Sequence, residues 1–211
     1  MREITERLRV AASDVRAVVR HGRSVPLLHE RVWIPTQDLS RALAFDPTSG
    51  SKRVLDGDWD LQWRPIESVS HVRQALAHWR DGLSWEESGA YDDLLSAIER
   101  SGGVHAGCRT KDDVIRRYAR LDEVFATVRA EGRLRTQREL RARAIRERGG
   151  IIVHADRDAQ PIFNGWGGCH RIAMAMVLGL PVIPAAIALV HRQALPIWRT
   201  QLLATSDSPR R

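Results

Sequence analysis

Apolar and polar positions follow three different rhythms along this chain, and each predicts a different kind of element. Ile4, Leu8, Ala11, Val15 and Val18 recur at steps of three and four up to Gly22. That spacing predicts an amphipathic helix over residues 3–20, packed on the body of the protein or on a partner. "RVWIPTQDL" (31–39) opens with a short apolar run and meets a proline, which suits an edge strand leading into a turn. "FDPTSGSKRVLDGDWD" (45–60) is turn-rich and ends in an acidic cluster.

From residue 70 to about 148 the rhythm is helical. Ser70 is placed to cap a helix carrying Val72, Leu76 and Trp79, stopped at Gly82. Ser84 and Glu87 have capping-box spacing ahead of Tyr91, Leu94, Leu95 and Ile98, with Gly102 and Gly103 behind. Thr110 and Asp113 repeat the device before a stripe of Val114, Tyr118, Leu121, Phe125 and Val128 that stops at Gly132. "RLRTQRELRARAIRER" (133–148) then packs seven arginines into sixteen residues. As a helix it is either a phosphate-contacting surface or a solvated face with Glu139 and Glu147 as internal partners.

The last third reads as strands. "GIIVHA" (150–155) is rich in β-branched residues, 156–160 is a polar turn, and "PIFNG" (161–165) is the return strand. A helix is expected from about 169 to 178, then "PVIPAAIALVHR" (181–192) as a buried strand, and a frayed tail over 201–211. Strand, helical block, hairpin, helix and strand in that order predict an α+β domain with an inserted helical layer at 70–148. The N-terminal helix then falls in residues 1–28 and the main domain in 29–200.

Composition narrows the partners. No apolar run is long enough for a membrane span, and two cysteines, Cys108 and Cys169, make no disulfide framework, so a cytoplasmic setting is the expectation. The net charge of +7 invites a nucleic-acid partner. The skew of 31 arginines to two lysines, Lys52 and Lys111, weakens that inference, because it looks like coding bias filling ordinary surface positions.

Chemistry concentrates at "FNGWGGCHR" (163–171), where a hairpin is expected to deliver the chain to a helix N-terminus. Glycines let the backbone bend and approach a ligand, and the first helical N–H groups together with the helix dipole favour an anion. Gly167, Gly168 and Cys169 would offer N–H groups there, Asn164 at the head of the turn is a further phosphate-binding candidate, and Arg171 adds a fixed charge. A thiol at such a site is expected to ionise more readily, with His170 close enough to tune it. The alternative is a small buried apolar cysteine.

The segment Gly167-Gly168-Cys169-His170-Arg171, followed by an alanine-rich helix and "LPVIPAAIALV", resembles the ParB/sulfiredoxin superfamily over about 45 residues. "VWIPTQDL" is placed like that superfamily's first strand. The resemblance implies a small mixed sheet carrying a helical insertion and a nucleotide-phosphate site on the turn. A sulfiredoxin-like activity would make Cys169 the nucleophile, with His170 and Arg171 holding phosphate. Kinase-like relatives use the turn without the cysteine, and partition-type relatives bind CTP there and clamp DNA. The resemblance does not extend to the helical block, to a peroxiredoxin-docking tail or to a recognisable helix-turn-helix.

Asp56, Asp58 and Asp60 complete the candidate set. They are either Mg²⁺ ligands (Asp56, Asp58) and a hydroxyl-activating base (Asp58 or Asp60), or an Asp/Gly turn capped by its own side chains. Lesser candidates are a zinc site of His105, Cys108, Cys169 and His170, a resolving role for Cys108, and a base-stacking wall of Trp59, Trp63 and Trp166. His154 and His191 read as strand-end residues. The resulting expectation is a phosphoryl-transfer enzyme using ATP with Mg²⁺, ADP or CTP being the other nucleotides, on a small-molecule or protein acceptor. The competing reading is a nucleic-acid-associated protein with a regulatory nucleotide site.

Overall fold

The apolar run at 182–191 becomes the strand on which a seven-stranded mixed sheet is ordered in this computed structural model, which describes residues 2–45, 47 and 52–204. In chain order the strands are β1 (Glu30–Pro35), β2 (Arg41–Leu43), β3 (Val54–Leu55), β4 (Trp63–Pro65), β5 (Ile151–Ala155), β6 (Pro161–Phe163) and β7 (Val182–His191). The helices are α1 (Arg2–His21), α2 (Ser70–Trp79), α3 (Ala90–Arg100), α4 (Lys111–Glu131), α5 (Gln137–Leu140), α6 (Cys169–Val177) and α7 (Trp198–Ala204). The class is α+β, as the sequence pattern predicts. The chain divides into two compact units, one of Met1–Ile66, Arg135–Gly168 and Pro181–Arg211, the other of Glu67–Leu134 and Cys169–Leu180.

The first unit holds every strand. The sheet runs β1-β7-β5-β6-β2-β4, with β3 pairing the end of β7 in parallel. β7 takes β1 antiparallel and β5 parallel, so both its edges are bonded, and Ile183, Ala185, Ile187, Leu189 and Val190 are all buried. A strand covered in this way has no polar face to present, which is why its sequence is nearly all apolar. β1 lies at one end of the order, as its proline suggests, and β5 and β6 form the expected hairpin with Val153 opposite Phe163. Leu43, Trp59, Ile162 and Leu189 pack together on the sheet.

α1 is tied to this sheet by one carboxylate. Asp14 accepts from Leu28 N (2.9 Å), Arg53 Nη1 (2.5 Å) and Arg146 Nη2 (2.7 Å). Arg53 is itself buried and also donates to Pro26 O and Ser13 Oγ. The outward side of α1 carries Ile4, Leu8, Val15 and Val19, all exposed.

In the second unit α2, α3, α4 and α6 pack as helices. The stripe on α4 buries Val114, Tyr118, Phe125 and Val128, with Leu121 half-buried. Thr110 and Asp113 form a complete capping box at its start. Trp79 stacks on Phe125 with centroids 4.7 Å apart, and α2 lies against α6.

Five expectations need correction. Ser70 is the first helical residue of α2 and Val69 its N-cap, with no side-chain cap. Ser84 and Glu87 do bond reciprocally, but within a turn; α3 starts later, from the left-handed Gly89. The helical block does not run to 148: the second unit ends at Leu134 and takes in α6. Only Gln137–Leu140 of the arginine-rich segment is helical, because the wholly buried Glu147 accepts from Gln137 N and from Arg31 Nε and folds the rest into turns. At the C-terminus, α7 occupies Trp198–Ala204 where a tail was expected; residues 205–211 lie outside the described residues.

Asp14 gives a test of the α1 anchor. Burial alone would raise its pKa, but the Leu28 N–H and the guanidinium groups of Arg146 and Arg53 hold it below the ordinary 3.8. The contribution is therefore full above pH 3.8 and is lost as pH falls through the lower folded value. Asp14→Ala leaves the Arg53 charge buried without its carboxylate, and we expect about 3–5 kcal/mol lower unfolding free energy near neutral pH. Urea denaturation measures it, and the difference between wild type and variant should shrink in acid.

Candidate functional site

The turn after the hairpin is built by one side chain and two positions where nothing but glycine fits. Asn164, buried and bonded through its N–H to Ile152 O at 3.1 Å, accepts at Oδ1 from Trp166 N (3.0 Å) and Gly167 N (3.2 Å). Gly165 has φ +89°, and a Cβ there would stand 3.0 Å from Leu43 O. Gly168 has φ +96°, and its Cβ would stand 2.8 Å from both Cα and Cγ1 of Ile151. A side chain at 168 is excluded twice over, by backbone conformation and by β5. α6 begins at the next residue, Cys169.

This placement separates residues that the sequence groups together. The Gly167 N–H is already donated to Asn164, so Asn164 shapes the turn from within. Cys169 is buried, with 3% of its surface exposed, and its thiol is not in a disulfide; the same holds for the buried Cys108. His170 lies in a ring cluster of the second unit. His71 stacks on it at 6.1 Å, and Tyr118 and Trp85 meet it edge-on at 6.0 and 6.2 Å. Burial, together with the nearby His71 and Arg117, pushes the His170 pKa down to about 4. It is a neutral ring at physiological pH, able to donate or accept a hydrogen bond but adding no positive charge. Tyr118 donates to Ala90 O at 3.3 Å, and burial pushes its pKa up to about 12. His71 is held by Gln74, whose Nε2 donates to Asp93. Of these neighbours of His170, His71 comes from α2, Tyr118 from the α4 stripe and Trp85 from the turn before α3, and no motif in the sequence links them to it.

The acidic loop is bound by arginines. Asp60 is buried and accepts at Oδ2 from Arg157 N (3.0 Å) and Nε (2.8 Å), and at Oδ1 from Arg157 Nη2 (2.8 Å). The same Nη2 reaches Asp58 Oδ1 at 2.7 Å, and Arg192 Nε lies 3.2 Å from Asp56 Oδ2. Burial would raise the Asp60 pKa, but its hydrogen bonds and charge pairing with Arg157 hold it below 3.8. A carboxyl in that range is a poor proton acceptor near neutral pH. Trp59 is a core residue between His154 and His191, each 6.0 Å away by centroid, while Trp63 and Trp166 are exposed.

Among the described residues no group of three or more His, Cys, Asp or Glu side chains is arranged to hold a metal ion. The zinc set is therefore not assembled: His105 and Cys108 meet through their backbones in an isolated bridge. Within the arginine-rich segment, Arg146 donates to Leu28 O and Asp14, and Arg148 pairs with Glu6, so both are engaged inside the first unit. No helix of the described residues is long and apolar enough to cross a membrane.

Two substitutions check this geometry. Gly168→Ala combines a left-handed φ with a clash on Ile151 and should lower stability by at least about 2 kcal/mol, read from thermal or urea unfolding. Arg157→Met removes the partner of a buried carboxylate, so the Asp60 pKa should rise above that of the wild type in a carbon-detected NMR titration. An unmoved value would show that Arg157 does not set it.

Compared with known protein families, curated proteins and solved structures, the chain matches none of them.

Proposed function

We propose that this chain binds a nucleotide through its phosphates at the start of α6 and uses it in phosphoryl transfer to a small-molecule or protein acceptor. The observation that carries the reading is local. A nine-residue helix begins at Cys169, directly after a glycine with φ +96°, so no side chain at residue 168 stands before its first N–H groups and the positive end of its dipole. Arg171, half-exposed in the first turn of that helix, supplies a guanidinium of fixed charge. The Gly-Gly-Cys-His-Arg resemblance to the ParB/sulfiredoxin superfamily supports the same ligand.

In this reading His170 acts as a neutral hydrogen-bonding ring, and Cys169, being buried, is left as packing. Mg²⁺ enters with the nucleotide in this reading, and no acidic-loop carboxylate is assigned to it, because Asp58 and Asp60 are paired with Arg157 and Asp56 with Arg192. Catalysis of this class rests on positioning and on charge stabilisation of the transferred group, and ATP with Mg²⁺ is the nucleotide to test first.

Calorimetric titration with Mg²⁺ and ATP, ADP or CTP tests the proposal. Binding is expected, weakened about tenfold by Arg171→Ala. It should survive in Cys169→Ser, which separates this reading from a thiol-dependent one. No binding of any of the three nucleotides overturns it.

A further inference from the structure

A cleft of about 500 Å³ opens in the first unit beside the C-terminal half of α1, and its charges are of nearly one sign. Arg16, Arg20 and His21 line it from α1, Lys52 from the segment before β3, and Arg192 from the 3-10 turn that follows β7. Asp56 is the one carboxylate in the lining, and it is paired with Arg192. Arg53 lines the cleft too, but its buried guanidinium serves Asp14, Pro26 O and Ser13 Oγ. Among the described residues no carboxylate pairs with Arg16, Arg20 or Lys52, all three exposed.

That is an unusual place for cations to gather. Like charges brought together around a concave surface repel one another, and the repulsion is relieved when an anion enters. The field is felt by His21, whose pKa is held below 6.5 by burial and by Arg20 and Arg192. A second cleft, nearer the start of α1, gathers less charge: there Arg148 is paired with Glu6, and Arg9 is the other charged side chain. The volume lies within the range of small-ligand sites, and arginines match the geometry of phosphate oxygens.

We propose that this cleft is a second anion site, separate from the start of α6, in which Arg16, Arg20 and Lys52 hold the phosphate of a phosphate ester. The ester is either a small phosphorylated molecule or a phosphate of a single-stranded nucleic acid backbone; the recognising chemistry is the same. Arg192 contributes as well if the ligand displaces Asp56 from it.

The test is calorimetric titration of the full chain with inorganic pyrophosphate and, separately, with a short single-stranded oligonucleotide. Arg16→Ala/Arg20→Ala should weaken pyrophosphate binding at least about tenfold. Arg73→Ala, an exposed arginine on α2, should leave that binding unchanged. Both variants change exposed side chains, and equal melting temperatures would exclude unfolding as the cause. Oligonucleotide binding that pyrophosphate displaces and the double variant loses assigns the site to backbone phosphates; pyrophosphate binding alone assigns it to a small ester. Failure of both probes to bind, or equal binding by the double variant, overturns the proposal.

Discussion

The chain passes from β6 to α6 across Ile151 with no room for a side chain at residue 168, and much else depends on that crossing. It needs a central strand to cross, and β5 provides one because it is paired with both β6 and β7. It needs the hairpin return to stop on time, which Asn164 brings about by turning back to accept from Trp166 N and Gly167 N. α6 begins at the residue after Gly168, and within the second unit Cys169 is buried and His170 lies among the rings of His71, Trp85 and Tyr118. Gly165 and Gly168 are thus required by the fold before any ligand is considered, whereas a Cβ at Gly167 would meet only ordinary contacts. A phosphate site built here would use a helix start that packing has already shaped.

The electrostatics follow from an excess of arginine over carboxylate. Buried acids take their partners first, since an unpaired buried carboxylate costs far more than an exposed cation left in water. Asp14 takes Arg53 and Arg146, Glu147 takes Arg31, Asp156 takes Arg41 and Asp60 takes Arg157. Each of these pairs joins segments far apart in sequence, so they act as stitches within the first unit. The arginines left over are surface residues, and they define an anion-binding surface only where the fold makes them converge.

Local patterns were legible in the sequence and long-range partners were not. The α4 stripe, the Thr110–Asp113 cap, the β5–β6 hairpin and the apolar β7 all rest on spacing within a dozen or so residues, and the structure contains each of them. The segment 133–148 has good helical composition, yet its conformation is decided by Glu147 reaching Arg31, which lies 116 residues away in the chain. Asp56, Asp58 and Asp60 have the look of a metal loop, but Arg157, placed 97 residues from Asp60, takes up two of the three carboxylates. The glycine-rich turn is ambiguous for the same reason. A glycine that admits a ligand and one that admits Ile151 look identical in sequence.

The two anion sites proposed here differ in the physics of their donors, and this gives them different sensitivities. At the start of α6 the donors are chiefly backbone N–H groups and a helix dipole, fixed in place whether or not an anion is bound. Such a site incurs little ordering cost and selects by shape, since its N–H groups cannot follow a ligand of the wrong size. Beside α1 the donors are long, exposed cationic side chains, which lose rotamer freedom on binding and are screened by salt. Attraction there is long-ranged and tolerant of ligand shape, and it weakens steeply as ionic strength rises. Salt should therefore distinguish the two sites in one protein: a ligand held on the α6 turn keeps most of its affinity at a concentration where one held in the α1 cleft has let go.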